Sequence, residues 1–379
     1  MLKLHHLRQR IQDYLEQWSG AAPPNLSYHP QGVFAKLVPE LKYLHKKYCP
    51  TLWLSNPHAQ MLYFDLFKRH RIRLNYDALE QLTMQDGGTT AIAWYGKHMS
   101  CATPTIVLMH TLTGTSDTMR ELVQDLHRYT GWRIALCLRR GHGDLPLTVP
   151  KINLLGSTED LREQISHIQR QYPDSDLYAV GTSAGTGLLV RYLGEAGRNT
   201  PFKAAFALSP GYNSESGFAL VHPLYSNLMT KKLFKAFVQP YRHTWPWDQL
   251  QHLRKAKSLA EFDQCYFRMA GFEDYQSYAQ AVNPIYVMQD VQIPLLLLNA
   301  KDDPICRIDN LSPYKQRLAI MPNILVVTTE KGSHCIFYQG FSKTRSWATR
   351  LIADYFREYA LLEHVKKPRH AGFLSTHAA

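Results

Sequence analysis

Residues Leu177–Arg191 read LYAVGTSAGTGLLVR, and no other stretch limits the possible folds as tightly. Leu177-Tyr178-Ala179-Val180 is a short apolar run of the kind that makes a buried strand. Gly181-Thr182-Ser183-Ala184-Gly185 interrupts it, and Leu188, Leu189, Val190, Tyr192 and Leu193 then place an apolar face at helical spacing. A serine in G-x-S-x-G between a strand and a helix predicts a nucleophile elbow. The turn is so tight that side chains at 181 and 185 would meet neighbouring backbone, and glycine has no Cβ. Ser183 Oγ should stand above the sheet, over a helix N-terminus that favours negative charge.

Elsewhere, apolar runs alternate with helical periodicities. Strands are predicted at Thr105–Met109, Arg133–Leu138, Lys203–Leu208, Leu295–Leu298 and Ile324–Val327. Leu82–Met84, the Asp86-Gly87-Gly88 turn and Thr89–Tyr95 read as a hairpin. Helices are predicted over 118–129, 159–171 and 347–359. Such alternation implies a doubly wound, mostly parallel sheet. Residues 211–290 break the alternation and are dense in aromatics, with a helix expected over 228–238. An insertion there would cover the strand C-terminal ends as a lid.

The division expected is an N-terminal helical extension (1–47), a first core part (48–210), the helical lid (211–290), a second core part (291–362) and a flexible basic tail (363–379). Within the extension, 21–31 read as a loop and 33–48 as partly helical. Residues 1–20 carry Leu4, Leu7, Ile11, Leu15 and Trp18 at helical spacing beside Lys3, Arg8 and Arg10. That pattern packs on its own domain or lies in a membrane interface, and both readings stay open.

A nucleophilic serine needs a base, and the base needs an orienting acid. In this fold class the order is serine, acid, histidine. Asn299-Ala300-Lys301-Asp302-Asp303-Pro304 follows one predicted strand, and Glu330-Lys331-Gly332-Ser333-His334 follows another. All three candidates then stand at strand C-terminal ends, where open α/β sheets gather their sites. Asp303 is preferred to Asp302, because a residue before proline is held extended. His334 is the base, because the later histidines at 364, 370 and 377 fall in the tail. The oxyanion hole is assigned to the N–H groups of Ala184 and Leu112, with Thr111 as the alternative to Leu112. His110 and Thr111 are assigned to substrate contact. Arg139 and Arg140 shape the same wall and are read either as structural or as contacts for a lipid phosphate.

Charge and cysteine content bound the partners. The formal net charge is +12, from 43 basic and 31 acidic residues among 379. That suits an anionic partner. No zinc-finger spacing or RNA-binding aromatic motif points to nucleic acid; the lipid-like chemistry makes an anionic membrane face the preferred partner, with a merely basic soluble enzyme as the equal alternative. The six cysteines have no C-x-x-C spacing and read as free thiols, neither zinc site nor disulfide frame. No apolar run approaches the roughly 20 residues of a membrane span. A cytoplasmic protein, with peripheral membrane contact as an open reading, is expected.

The chain resembles one subgroup of α/β-hydrolase domain-containing proteins: monoacylglycerol- and phospholipid-cleaving members, plant embryogenesis-associated proteins and bacterial YheT-like esterases. Asn56-Pro57-His58-Ala59-Gln60 is similar to their N-P-H-x-Q block, and His110-Thr111-Leu112-Thr113-Gly114 to H-G-L-T-G. Arg140-Gly141-His142-Gly143 resembles R-G-x-G, and the acid and histidine loops are similar too. The likeness runs from about Tyr48 to Tyr359. It implies an α/β-hydrolase fold and serine-dependent hydrolysis of acyl-lipid esters without metal or other cofactor, with Ser183, Asp303 and His334 as triad. Two positions depart from the pattern: Thr111 stands where glycine is usual, and Thr186 where glycine or asparagine is. An acyltransferase using the same triad and a non-catalytic lipid-binding protein are the alternative readings.

Overall fold

A computed structural model describes residues 16–155, 157–341 and 343–366. Nine strands form one sheet: β1 (Asn25–Tyr28), β2 (Ala78–Thr83), β3 (Thr89–Tyr95), β4 (Thr105–Met109), β5 (Arg133–Leu138), β6 (Leu177–Thr182), β7 (Phe202–Leu208), β8 (Leu295–Ala300) and β9 (Ile324–Thr329). Their order is β1-β9-β8-β7-β6-β4-β5-β3-β2. The six strands from β9 to β5 run parallel, whereas β1, β3 and β2 join antiparallel at the two ends. The central strands are buried along their whole length. Strands covered on both faces carry unbroken apolar runs such as TIVLM and LLLL, which is why they were legible.

The helices that bear on function are α1 (Pro57–Tyr63), α2 (Arg120–Thr130), α3 (Glu159–Gln171), α4 (Ala184–Ala196), α5 (Ser214–Leu220), α6 (Pro223–Leu233), α7 (Trp247–Lys255), α8 (Leu259–Tyr266), α9 (Tyr275–Val282) and α10 (Trp347–Lys366). On one face of the sheet α2 and α10 bury Val123, Leu126, Trp347, Leu351 and Tyr355 against Val180, Phe206 and Leu298. On the other, α3 and α4 bury Leu161, Ile165, Leu189 and Leu193 against Val107, Ala179 and Leu297. Full burial of each such side chain contributes about 1.5–3 kcal/mol. Two sealed faces therefore hold the strand ends in place.

Helices α5–α9 lie between β7 and β8 and form their own apolar cluster around Trp245, Phe262, Tyr266 and Tyr278. Asp263 is buried in that cluster and accepts from the Tyr278 and Tyr275 hydroxyls at 2.8 and 3.2 Å. Burial pushes its carboxyl up to about 7, against those two hydrogen bonds.

Two expectations change. Residues 25–28, read as loop, form the edge strand β1, paired antiparallel with β9. NLSY lies between Pro23-Pro24 and Pro30 and has too few apolar positions to announce a strand, so β9 supplies the template. At the other end α10 continues through the first residues of the expected tail, to Lys366. Residues 1–15, which hold most of the amphipathic stretch, and 367–379 lie outside the described residues. Among the described residues no helix is long and apolar enough to cross a membrane.

Candidate active site

Ser183 occupies the bend between β6 and α4 with φ 50° and ψ −119°. This region is sparsely populated for a residue with a side chain, at a strain of about 1–3 kcal/mol. Several bonds hold the bend. Ser183 N–H donates to Leu208 O at 3.0 Å, and Thr182 Oγ1 donates to Met109 O at 3.0 Å. Thr186, unusual at its position, donates from both N–H and Oγ1 to Ser183 O, at 2.9 and 2.5 Å. The flanking glycines are sterically required. A Cβ at Gly181 would sit 2.6 Å from Gly185 O, and one at Gly185 would sit 2.4 Å from Met109 O.

His334 Nε2 lies 2.8 Å from Ser183 Oγ, and His334 Nδ1 lies 2.8 Å from Asp303 Oδ2. Side chains 151 and 31 residues distant from His334 along the chain thus converge on its two ring nitrogens. Asp303 is fully enclosed. Its other oxygen, Oδ1, accepts from Ile305 N–H at 2.8 Å and Cys306 N–H at 2.9 Å. Burial by itself would push the imidazole of His334 down. The Asp303 carboxylate outweighs that and raises it well above its ordinary value of 6.5. The neighbouring Asp302 braces the loop instead of the ring. Its Oδ1 accepts from Ser333 N–H at 3.0 Å and pins the residue before the histidine. Burial raises its carboxyl, partly offset by that N–H.

The loop bearing the histidine is wound tightly. Ser333 and Cys335 have φ of 63° and 62°, so two left-handed residues flank His334. Ser333 Oγ donates to Pro57 O at 2.7 Å, and Tyr338 N–H donates to Gln60 Oε1 at 3.0 Å. Asn56 caps α1 by accepting from His58 and Ala59 N–H. The N-P-H-x-Q block is therefore a brace for the loop that carries His334. No local signal in the sequence joins it to position 333. Cys306 is another residue the sequence did not single out: it lines the cavity beside Ser183, its thiol held up by burial and by Asp303.

The loop after β4 is fixed by buried polar side chains. Arg139 Nη2 donates to Thr111 O at 2.6 Å, and a ring nitrogen of His142 meets Leu112 O at 3.1 Å. A trans peptide points its N–H opposite its C=O. With the Thr111 carbonyl tied to Arg139, the Leu112 N–H is turned the other way, and it has no partner among the described residues. Ala184 N–H is at the first position of α4, where no intrahelical acceptor exists.

His110 is held inside the loop and lines neither cavity. It is buried, its Nε2 accepts from Arg139 N–H at 3.2 Å, and its Nδ1–H donates to Thr111 O at 2.8 Å. Burial, Arg139 and His142 hold it well below 6.5, in the neutral form that this arrangement needs. The substrate assignment for His110 is thus replaced by a scaffolding one. Likewise the two arginines are engaged within the protein. Arg139 serves loop carbonyls, and Arg140 is buried between Asp86 and Asp160. Thr111 does line a cavity.

Two cavities meet at Ser183. The narrower is lined mainly by apolar groups including Ala184, Phe218, Val221 and Met229. The wider is lined by His334, Thr111, Met119, Tyr225 and Lys232 among others. Ser183, Leu112, Met229 and Ile305 belong to both. Among the described residues no cluster of histidine, cysteine and carboxylate side chains has the makings of a metal site.

Residues 104–341 match the family model described as alpha/beta hydrolase fold. The chain is 31% identical over 334 residues to bovine phospholipase ABHD3, covering 84% of this chain and 79% of that one. It is 26% identical to the Picea glauca embryogenesis-associated protein EMB8, over 88% of this chain and 77% of the relative. It is 25% identical to mouse monoacylglycerol lipase ABHD2, over 89% and 86%. The chain therefore belongs to the α/β-hydrolase family of esterases, lipases and phospholipases, in the subgroup that holds ABHD3, ABHD2 and EMB8.

Proposed function

We propose that this protein is a serine carboxylester hydrolase that cleaves hydrophobic acyl esters such as acylglycerols through an acyl-enzyme on Ser183. One observation carries the reading: the unbroken hydrogen-bond chain Ser183–His334–Asp303, with both links at 2.8 Å, at the junction of two largely apolar cavities. His334 Nε2 takes the proton of Ser183 Oγ as the oxygen attacks the ester carbonyl. Asp303 steadies the imidazolium, because its carboxylate is fixed by two backbone N–H groups and cannot turn away. The tetrahedral oxyanion is received by Leu112 N–H and Ala184 N–H, neither engaged elsewhere. His334 then protonates the leaving alcohol, and water repeats the sequence to free the acid.

The narrower cavity takes the acyl chain. Its lining is more apolar, and Ala184 opens onto it. The wider cavity, bounded by His334, takes the leaving alcohol, which must collect its proton there. Helices α5–α9 with their connections act as the lid, and they furnish Phe218, Val221 and Met229 to the acyl side.

A panel of acylglycerols and p-nitrophenyl esters, run on wild type and Ser183→Ala, tests the proposal. The variant should lose on the order of 10⁴-fold or more in kcat and all labelling by a fluorophosphonate. Wild-type turnover by the variant would overturn it. Product analysis with an added alcohol separates hydrolysis from acyl transfer: ester formation outrunning acid release would make the enzyme a transferase. Lipid binding without fluorophosphonate labelling would leave a non-catalytic binder.

A further inference from the structure

The mouth of the wider cavity is built from two helices that break the usual rule for water-facing surfaces. Helix α1 continues without interruption through Phe64–Lys68 and Arg69–Arg71, and α6 continues through Phe234–Val238. They lie side by side across the opening. His58 Nδ1 and Tyr225 OH are 2.8 Å apart with their rings stacked, and Lys232 feels the charges of Asp65 and Arg69. Leu62, Leu66 and Phe67 on the first helix, and Leu224 and Leu228 on the second, are each 50–58% exposed. Leu62 and Leu228 also line the cavity itself. Single exposed apolar side chains are commonplace, but four leucines and a phenylalanine on two adjoining helices around one opening form a patch. Trp53, half exposed, extends it through an edge contact with Tyr63, which stacks on Phe67.

Charge narrows the choice of partner. Residues 57–71 and 223–238 hold six lysines and arginines (Lys68, Arg69, Arg71, Lys231, Lys232, Lys235) against a single acid, Asp65. Asp65 is itself paired with Arg69, and Lys68 with Glu121 of the cavity wall. The remaining surplus is positive. An apolar rim with basic flanks is the profile of a surface that sinks its leucines among lipid chains and its cations among anionic headgroups.

We infer that the α1–α6 rim docks on the surface of an anionic phospholipid bilayer, so that an acyl ester passes from the lipid phase into the cavity that ends at Ser183. The inference rests on the acyl-ester reading for its purpose, but binding is measured without catalysis. It moves the membrane contact from residues 1–20, where sequence alone suggested it, to the mouth of the site.

The test is flotation of the full-length protein with vesicles of phosphatidylcholine alone and of phosphatidylcholine with phosphatidylserine, at low and high salt. Wild type and Ser183→Ala should float equally, more on the anionic vesicles, and less as salt rises. Leu66→Ser/Phe67→Ser/Leu224→Ser, which spares every cavity-lining residue, should lose about tenfold or more in bound fraction. It should keep wild-type thermal stability and turnover of a short, water-soluble ester. Lys231→Glu/Lys235→Glu should lose the preference for anionic vesicles. Ile320→Ser, exposed at the opposite end of the strands, should change nothing. Unaltered binding by the triple variant, or wild type that floats on neither vesicle, would overturn the inference. So would a wild type that self-associates through this face instead of floating. Loss of esterase activity in Ser183→Ala with flotation intact separates this outcome from the fate of the catalytic reading.

Discussion

The two halves of this active site are held by different means. Ser183, Asp303 and His334 sit on loops that follow buried parallel strands, each anchored within a residue or two by hydrogen bonds to backbone groups. Ser183 is locked to Leu208, Asp303 to Ile305 and Cys306, and the residue before His334 to Asp302. The cover is otherwise. Helices α5–α9 are held by side-chain packing, in an apolar cluster that they share with Leu112, Ile152 and Leu154 of the core, and by polar contacts such as Asn213 with Asn310. A strained bend like that at Ser183 persists only when its surroundings over-determine it. We propose that the sheet carries the chemistry and the insertion the selection of substrate.

The sharpest way to break that division is to attack the sheet side alone. Asp303→Asn should lower kcat on the order of 10³–10⁴-fold while changing KM little. The pH profile checks the cause. Because Asp303 holds His334 above 6.5 and the neutral ring is the base, kcat/KM should rise with pH through a single ionisation above 6.5. In the variant that ionisation should move to lower pH. Stability runs the opposite way. A raised folded-state pKa contributes stability that is complete below the unfolded value of about 6.5 and is lost as pH rises through the folded one. A profile that stays in place in Asp303→Asn would mean that Asp303 does not tune the base.

A smaller effect is expected from the insertion. Val221→Phe narrows the apolar cavity from the cover side. It should reduce kcat/KM for long acyl chains about 10–100-fold relative to butyrate esters, with short-chain kcat retained. Equal losses on short and long chains would show that the insertion supports chemistry as well as selection. The smallest effect sharpens the comparison at its seam. Ser333→Ala removes the bond to the Pro57 carbonyl, about 1 kcal/mol, and should lower kcat roughly fivefold with KM unchanged. Ser333→Thr, which keeps the hydroxyl, should recover part of it.

What the sequence disclosed follows the same line. The elbow, the acid loop and the histidine loop were legible because each trails an uninterrupted apolar run, and a buried parallel strand leaves that mark. Glycines 181 and 185 were legible for a steric reason, which the 2.6 and 2.4 Å approaches bear out. Strand β1 was not, because an edge strand takes its pairing from a neighbour nearly 300 residues away. The left-handed conformations of Ser333 and Cys335 were also hidden, since nothing in their side chains asks for them. His110 misled because a histidine in a site loop is as good a strut as a ligand. Only burial and the Arg139 N–H decide between those roles.

Helix α1 has one end in each of these worlds. Its first residue, Pro57, accepts the hydroxyl of Ser333 beside the His334 imidazole, and within three turns it presents Leu62, Leu66 and Phe67 to the outside. One helix thus joins the outward apolar face to the loop that carries the His334 imidazole.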